Sequence, residues 1–184
     1  MMHTRTSFLT LGVVLLGLGG ACSQDYPGSV PDNAYCNPVD NWPAERIAWE
    51  ARIFELFNHA RSLGANCTPT EHFPPTHEYK PHPALVCAAR NHSMDMHDRD
   101  YFDHTSPEGE GPTDRASHAG LDNGWVGENI VAGYGSPEAQ FEGWMSSPGH
   151  CRAIMNPNHY YVGLGTFLGT SGYGQYTTAN FGAK

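Results

Sequence analysis

The sequence has 184 residues, with 19 acidic against 10 basic side chains and a formal net charge of -9 at neutral pH. That length supports one domain with its own hydrophobic core and excludes a large multidomain enzyme. The surplus of acid repels phosphate backbones, which argues against nucleic acid as a partner. With 21 Gly and 14 Pro and only 16% charged residues, the chain is predicted to be rich in loops. Eleven His and nine Tyr suit a polar, metal-binding or proton-active site, without saying where it lies.

Residues 1–21 read as an export signal. Arg5 precedes an apolar run from Phe8 to Leu18, and Gly19, Gly20 and Ala21 lead to Cys22. The run is too short to span a bilayer as a helix, so a cleaved signal is expected and not a membrane anchor. Removing it takes away Arg5 and no acid, leaving the remainder one unit more negative. Small residues before a Cys are similar to the bacterial lipobox, which would make Cys22 the lipidated first residue. Gly19 stands where a lipobox usually has a branched apolar residue, and plain cleavage after Ala21 is the alternative. If Cys22 carries lipid, Cys36, Cys67, Cys87 and Cys151 form an even set. Such a set suits two bridges in an oxidising compartment, with three connectivities open. No C-x-x-C occurs, so zinc ribbons and thioredoxin-like redox sites are unsupported.

Residues 22–44 read as a tether and N-terminal extension, with Pro, Gly and Asp but no apolar period up to about Asn33. From Ala44 to Arg61, Trp49, Ile53, Leu56, Phe57 and Ala60 recur at helical spacing, with Glu45 and Glu50 early and Arg61 late, as the helix dipole favours. Gly64 to His82 holds Pro74, Pro75 and Pro81 and is expected to be a loop, with His72, His77 and His82 on its surface. A second helix starts at Pro83, with Leu85, Ala88, Ala89, His92 and Met96 on one stripe. On that stripe His92 is expected to be buried and hydrogen-bonded. Tyr101 to Gly111 is irregular, and a short helix from Pro112 to His118 stops at Gly120. Gly124 to Tyr134 is strand or loop. Ser136, Pro137 and Glu138 are a start signal for a helix burying Phe141, Trp144 and Met145, and Ser147-Pro148-Gly149 is expected to end it. Two strands, Tyr160 to Phe167 and Tyr173 to Phe181, are joined at hairpin length. Helices first and strands last, with no βαβ alternation, point to an α+β domain over 45–184.

Signatures for nucleotide binding, G-x-S-x-G hydrolases and H-E-x-x-H metalloproteases are absent. What remains is His104 after two aromatics, Glu128 between Gly127 and Asn129, and His150 after Pro148-Gly149. Spacing alone favours a locally hydrogen-bonded loop residue over a functional one for each of them.

The order of these pieces resembles the CAP superfamily, the cysteine-rich secretory, antigen 5 and pathogenesis-related proteins, also called the SCP domain, and its bacterial branch in particular. The resemblance is carried by Asn58-x-x-Arg61, Ala88-Ala89-x-x-His92, Phe102-Asp103-His104-Thr105-Ser106, Arg115, Gly127-Glu128-Asn129-Ile130, Trp144-Met145-x-Ser147-Pro148-Gly149-His150, Ile154-Met155-Asn156-Pro157, Val162-Gly163-Leu164-Gly165 and Asn180-Phe181-Gly182. It implies a three-layer αβα sandwich with a small antiparallel sheet between helices. It also implies a cleft holding two His and two Glu able to take a divalent metal. Position by position these fall on His104, His150 and Glu128, with Ser147 where the second acid would stand. Three ligands leave an open coordination position and suit Zn²⁺ or another divalent ion. Bacterial members of the family imply bridges Cys67 to Cys151 and Cys36 to Cys87.

The resemblance implies an exported or lipid-anchored envelope protein, monomeric, working as a binding module for a small or lipid ligand or an extracellular protein. A metal-dependent hydrolase acting on peptide or envelope polymers is the alternative. In it His104, Glu128 and His150 would hold Zn²⁺, and no catalytic base is identified. Ser147 lacks an orienting acid or oxyanion hole and makes a poor nucleophile. Fold alone does not choose an activity.

Overall fold

A computed structural model describes Tyr26 and residues 29–122 and 124–184; the expected export signal and Cys22 lie outside the described residues. The helices are α1 (Ala44–Leu63), α2 (Pro83–Asp98), α3 (Pro112–His118), α4 (Pro137–Ser146) and α5 (Pro148–Met155). The strands are β1 (Ala65–Thr68), β2 (Glu71–Phe73), β3 (Lys80–Pro81), β4 (Val126–Ala132), β5 (Tyr161–Leu168) and β6 (Gln175–Gly182). The main sheet has the order β3-β5-β6-β4, antiparallel except for the short β3–β5 pair, and β1 and β2 form a separate hairpin.

Side chains alternate across a strand, and β5 uses that alternation to divide the protein into layers. Val162 and Leu164 face Ile53, Phe54 and Phe57 of α1, Trp144 of α4 and Ile154 of α5, all in one buried cluster. Gly163 and Gly165 face α2 on the other side. A Cβ added at Gly163 would lie 2.1 Å from the Leu85 carbonyl carbon, and one at Gly165 the same distance from the Arg90 nitrogen. The two glycines are therefore what lets the helix backbone lie against the sheet. The expected stripe of α2 is fully buried there, His92 included, and α3 packs against α2 and β4. The three-layer αβα sandwich is present, and burial of each large apolar side chain stabilises it by roughly 1.5–3 kcal/mol.

Several expectations need correction. The 64–82 segment is not a plain loop. It contains the β1/β2 hairpin, and Cys67 of β1 is bonded to Cys151 of α5. Ser147-Pro148-Gly149 ends α4 but also opens α5, because Pro at the first helical position gives up only an N–H that lacks an intrahelical partner anyway. The extension is no free tether where it is described. The Tyr26 hydroxyl is buried and donates to the Leu164 carbonyl at 3.0 Å. Cys36 is bonded to Cys87 of α2, and Val39 and Trp42 are buried beside it.

Two charged side chains of α1, noted from the sequence only as suiting the helix dipole, are wholly buried. Glu50 accepts from Trp42 Nε1 (2.8 Å), the Thr166 N–H (2.9 Å) and Arg90 (2.6 Å), tying α1, α2 and β5 together. Burial pushes its carboxyl up, against the pull of Arg90. Arg61 donates to the carbonyls of His77, Ile154, Asn156 and His159, so it supports the end of α5 and the turn after it.

Candidate functional site

Adjacent residues of β4 point to opposite faces of the sheet, so Glu128 and Asn129 serve two different walls. On one side Glu128 is almost closed off, its side chain 2% exposed. Its Oε1 receives His104 Nδ1 at 2.8 Å and its Oε2 receives the Arg115 guanidinium of α3 at 2.7 Å. In the amide orientation its surroundings favour, Asn180, opposite Glu128 on β6, donates to Oε2 at 3.1 Å while accepting from the Ala89 N–H. On the other side the Asn129 amide donates to the His150 carbonyl at 3.1 Å, holding the first turn of α5 to the sheet. The Cys67–Cys151 bridge fixes the same turn from the outside.

His104 stands in the irregular segment between α2 and α3, its carbonyl held by Arg115 at 3.0 Å. Asp103 caps its own loop by accepting from the Thr105 N–H at 2.8 Å, so it does not supply the cleft. Behind the cleft, His92 Nε2 donates to the Asp103 carbonyl (3.0 Å) and lies 3.8 Å from Glu128. Burial drives His92 down to about 4, with Glu128 pulling the other way. His104 is shifted upward, chiefly by its hydrogen bond to Glu128. His150 is shifted downward by burial and then by the charge of His104. The two cleft imidazoles are therefore shifted in opposite directions.

His104, Glu128 and His150 line one open cavity of about 620 Å³, together with Asp114, Trp125 and His159. Ser147 does not line it; its N–H bonds the Trp144 carbonyl and its own carbonyl starts α5. Among the described residues no three His, Cys, Asp or Glu side chains form a group ready to hold a metal, since Glu128 is turned to Arg115 and His104. Of the three loop histidines only His72 is exposed. His77 stacks on Tyr160 with ring centroids 4.0 Å apart, and His82 packs against Tyr161.

The family model for cysteine-rich secretory proteins, CAP, matches residues 54–181. The chain belongs to the CAP family. An uncharacterized Bacillus subtilis protein, YkwD, is 32% identical over 149 residues, which is 79% of this chain and 53% of that protein. An uncharacterized membrane protein of the same organism, YlbC, is 36% identical over 77 residues, covering 42% of this chain and 22% of its own. The chain thus spans about half or less of the length of these curated relatives. An extracellular protein containing a SCP domain from Bacillus anthracis superposes with a TM-score of 0.61 at 28% identity, over 72% of this chain and 39% of that one. An outer surface protein of Borrelia burgdorferi shares the fold, with a TM-score of 0.57 at 18% identity over 76% of this chain and 92% of that one.

Within this CAP domain, sequence reasoning missed Trp125, Asp114 and His159 as cleft walls. It quoted Arg115 and Asn129 only as motif letters. No sequence signal marks Arg115, because its buried setting on a short helix facing the Gly-Glu-Asn strand is not revealed by spacing.

Proposed function

We propose that this CAP domain is an exported binding module whose cleft takes a small ligand, with a divalent cation such as Zn²⁺ recruited by His104 and His150. The observation that carries the reading is the engagement of both Glu128 oxygens. Oε1 holds His104 Nδ1 and Oε2 holds Arg115, so Glu128 orients His104 and leaves Nε2 as the ring nitrogen available to a ligand. A carboxylate behind a histidine is the usual support for a metal-binding imidazole. The donor set therefore fits two imidazoles, one of them backed by Glu128, better than three direct ligands. An ion bound there would supply a Lewis-acid contact for the ligand.

This arrangement favours binding over the hydrolase alternative, because Glu128 is committed and Ser147 stands outside the cavity. Export is supported by the sequence of residues 1–21, the two disulfides, and the extracellular and outer-surface descriptions of the structural relatives. Among the described residues no helix is long and apolar enough to cross a membrane. Lipid attachment at Cys22 is tested by growth with labelled palmitate, which should label the wild type and not Cys22→Ser.

Calorimetry with Zn²⁺ tests the cleft. Binding should be lost in His104→Ala and His150→Ala and weakened roughly 10- to 100-fold in Glu128→Gln, as for a supporting carboxylate. Equal affinity in both histidine variants would refute the metal reading.

A further inference from the structure

Among the described residues Trp125 is the most exposed of the large apolar side chains, at 72%, yet its position is set from the core outward. Its ring stacks on His159 with centroids 6.2 Å apart, His159 stacks on Phe181 at 5.4 Å, and Phe181 stacks on Phe57 at 6.1 Å. Gly127 gives the indole room, because a Cβ there would lie 3.2 Å from the Trp125 ring. The column of rings thus ends in a braced indole with most of its surface in water. Fixing an aromatic in place before a ligand arrives removes part of the ordering cost of binding.

Trp125 also stands between two cavities. It lines the cleft of about 620 Å³ and a second cavity of about 310 Å³ that holds Asp122, Tyr161 and His82. Each is large enough for a small ligand, at about 300–1,000 Å³. Both combine ring faces with carboxylate and imidazole groups, Asp114 in the first and Asp122 in the second. Such walls offer apolar faces to C–H groups and many hydrogen bonds to hydroxyls. Their acids, and the net charge of -9, disfavour polyanions and anionic bilayers.

We propose that Trp125 is the central platform of a site for a neutral, unbranched oligosaccharide that crosses the indole and places sugar units in both cavities. The inference rests on the reading of the cleft as a binding site and names its ligand class. The second cavity and the indole take no part in the metal site.

Titration calorimetry on the disulfide-bonded protein tests it, with β-1,4-linked tetramers of glucose and of N-acetylglucosamine as probes. At least one tetramer should bind, and the single sugars should bind far more weakly. Trp125→Ala should weaken the tetramer roughly tenfold, the ordinary worth of an aromatic contact, and Trp125→Phe should lose less. With the side chain so exposed, both variants should stay folded, with melting temperatures close to the wild type. Binding of neither tetramer at millimolar concentration, or equal binding by Trp125→Ala, overturns the inference. So does a blue shift of tryptophan emission on neutral phosphatidylcholine vesicles that is absent in Trp125→Phe and that the tetramers fail to compete away. If Zn²⁺ binds through His104 and His150 while no tetramer binds, the glycan site falls and the cleft reading stands. If a tetramer binds through Trp125 and Zn²⁺ does not bind, only the metal reading falls.

Discussion

Replacing Arg115 with Met should expose how much the site depends on one buried ion pair. The side chains of Arg115 and Glu128 are 4% and 2% exposed and meet at 2.7 Å. At an effective dielectric of about 20 that separation corresponds to roughly 6 kcal/mol of attraction. The variant no longer has to desolvate a guanidinium, which returns part of that energy. It leaves Glu128 buried with His104 and Asn180 as donors, and His104 is half exposed, so its pair with Glu128 is worth at most about 1 kcal/mol. Two carbonyls, Glu110 and His104, also lose a donor. The net cost should be about 3–5 kcal/mol, the usual result of removing one partner from a buried pair. In urea at pH 7.5, with a slope of roughly 1–3 kcal/mol per molar, the midpoint should fall by one to several molar. Adding Glu128→Gln to Arg115→Met should recover part of the loss, since the stranded charge is gone. A loss below about 1 kcal/mol, or a double variant whose cost is the simple sum, would refute the picture of Glu128 as a charge held chiefly by Arg115.

Further outcomes follow from other parts of the structure. Removing the Cys67–Cys151 bridge by Cys67→Ser and Cys151→Ser should cost about 2–5 kcal/mol in chemical denaturation and weaken Zn²⁺ binding, because the bridge anchors the turn that carries His150. The same change at Cys36 and Cys87 should cost stability with little effect on Zn²⁺. Gly165→Ala should cost upwards of about 3 kcal/mol or prevent folding, since its Cβ would stand 2.1 Å from the Arg90 nitrogen. Acidification should destabilise the protein through His92, which the folded state holds near 4 against an ordinary value of 6.5. Between those values the unfolded chain binds the extra proton, so stability present above pH 6.5 is lost as pH falls towards 4, by at most roughly 3 kcal/mol. His92→Gln should flatten that part of the stability profile, and an unchanged slope would contradict the assignment. His104 acts in the opposite sense, its ion pair with Glu128 weakening as pH rises through its raised value.

Much of the fold was legible because it rests on local signals. The stripe on α2, the start of α4 at Ser136 and the spacing of the last two strands follow from period, caps and turn residues. The family motifs located His104, Glu128 and His150 and implied both bridges. What the motifs did not carry was the use of each side chain. Glu50 and Arg61 read as ordinary helix charges, because a charge placed to suit the helix dipole looks the same whether it ends in water or in the core. The helix at Pro148 was hidden because Pro-Gly marks a break and a start alike.

By itself the sequence determined α1 to α4, the last two strands and which residues are available to a cleft. Local backbone preference and apolar periodicity act over a few neighbouring residues and need no knowledge of the rest. Only the tertiary structure decided that Glu128 belongs to Arg115 and His104, that Ser147 lies outside the cavity, and that Trp125 crowns a column of rings. Those outcomes depend on groups brought together from α1, α3, β4 and β6 and from the loops that carry His104 and His159. There the cost of burying an unpaired charge and the gain from stacking select among arrangements that sequence spacing leaves equal.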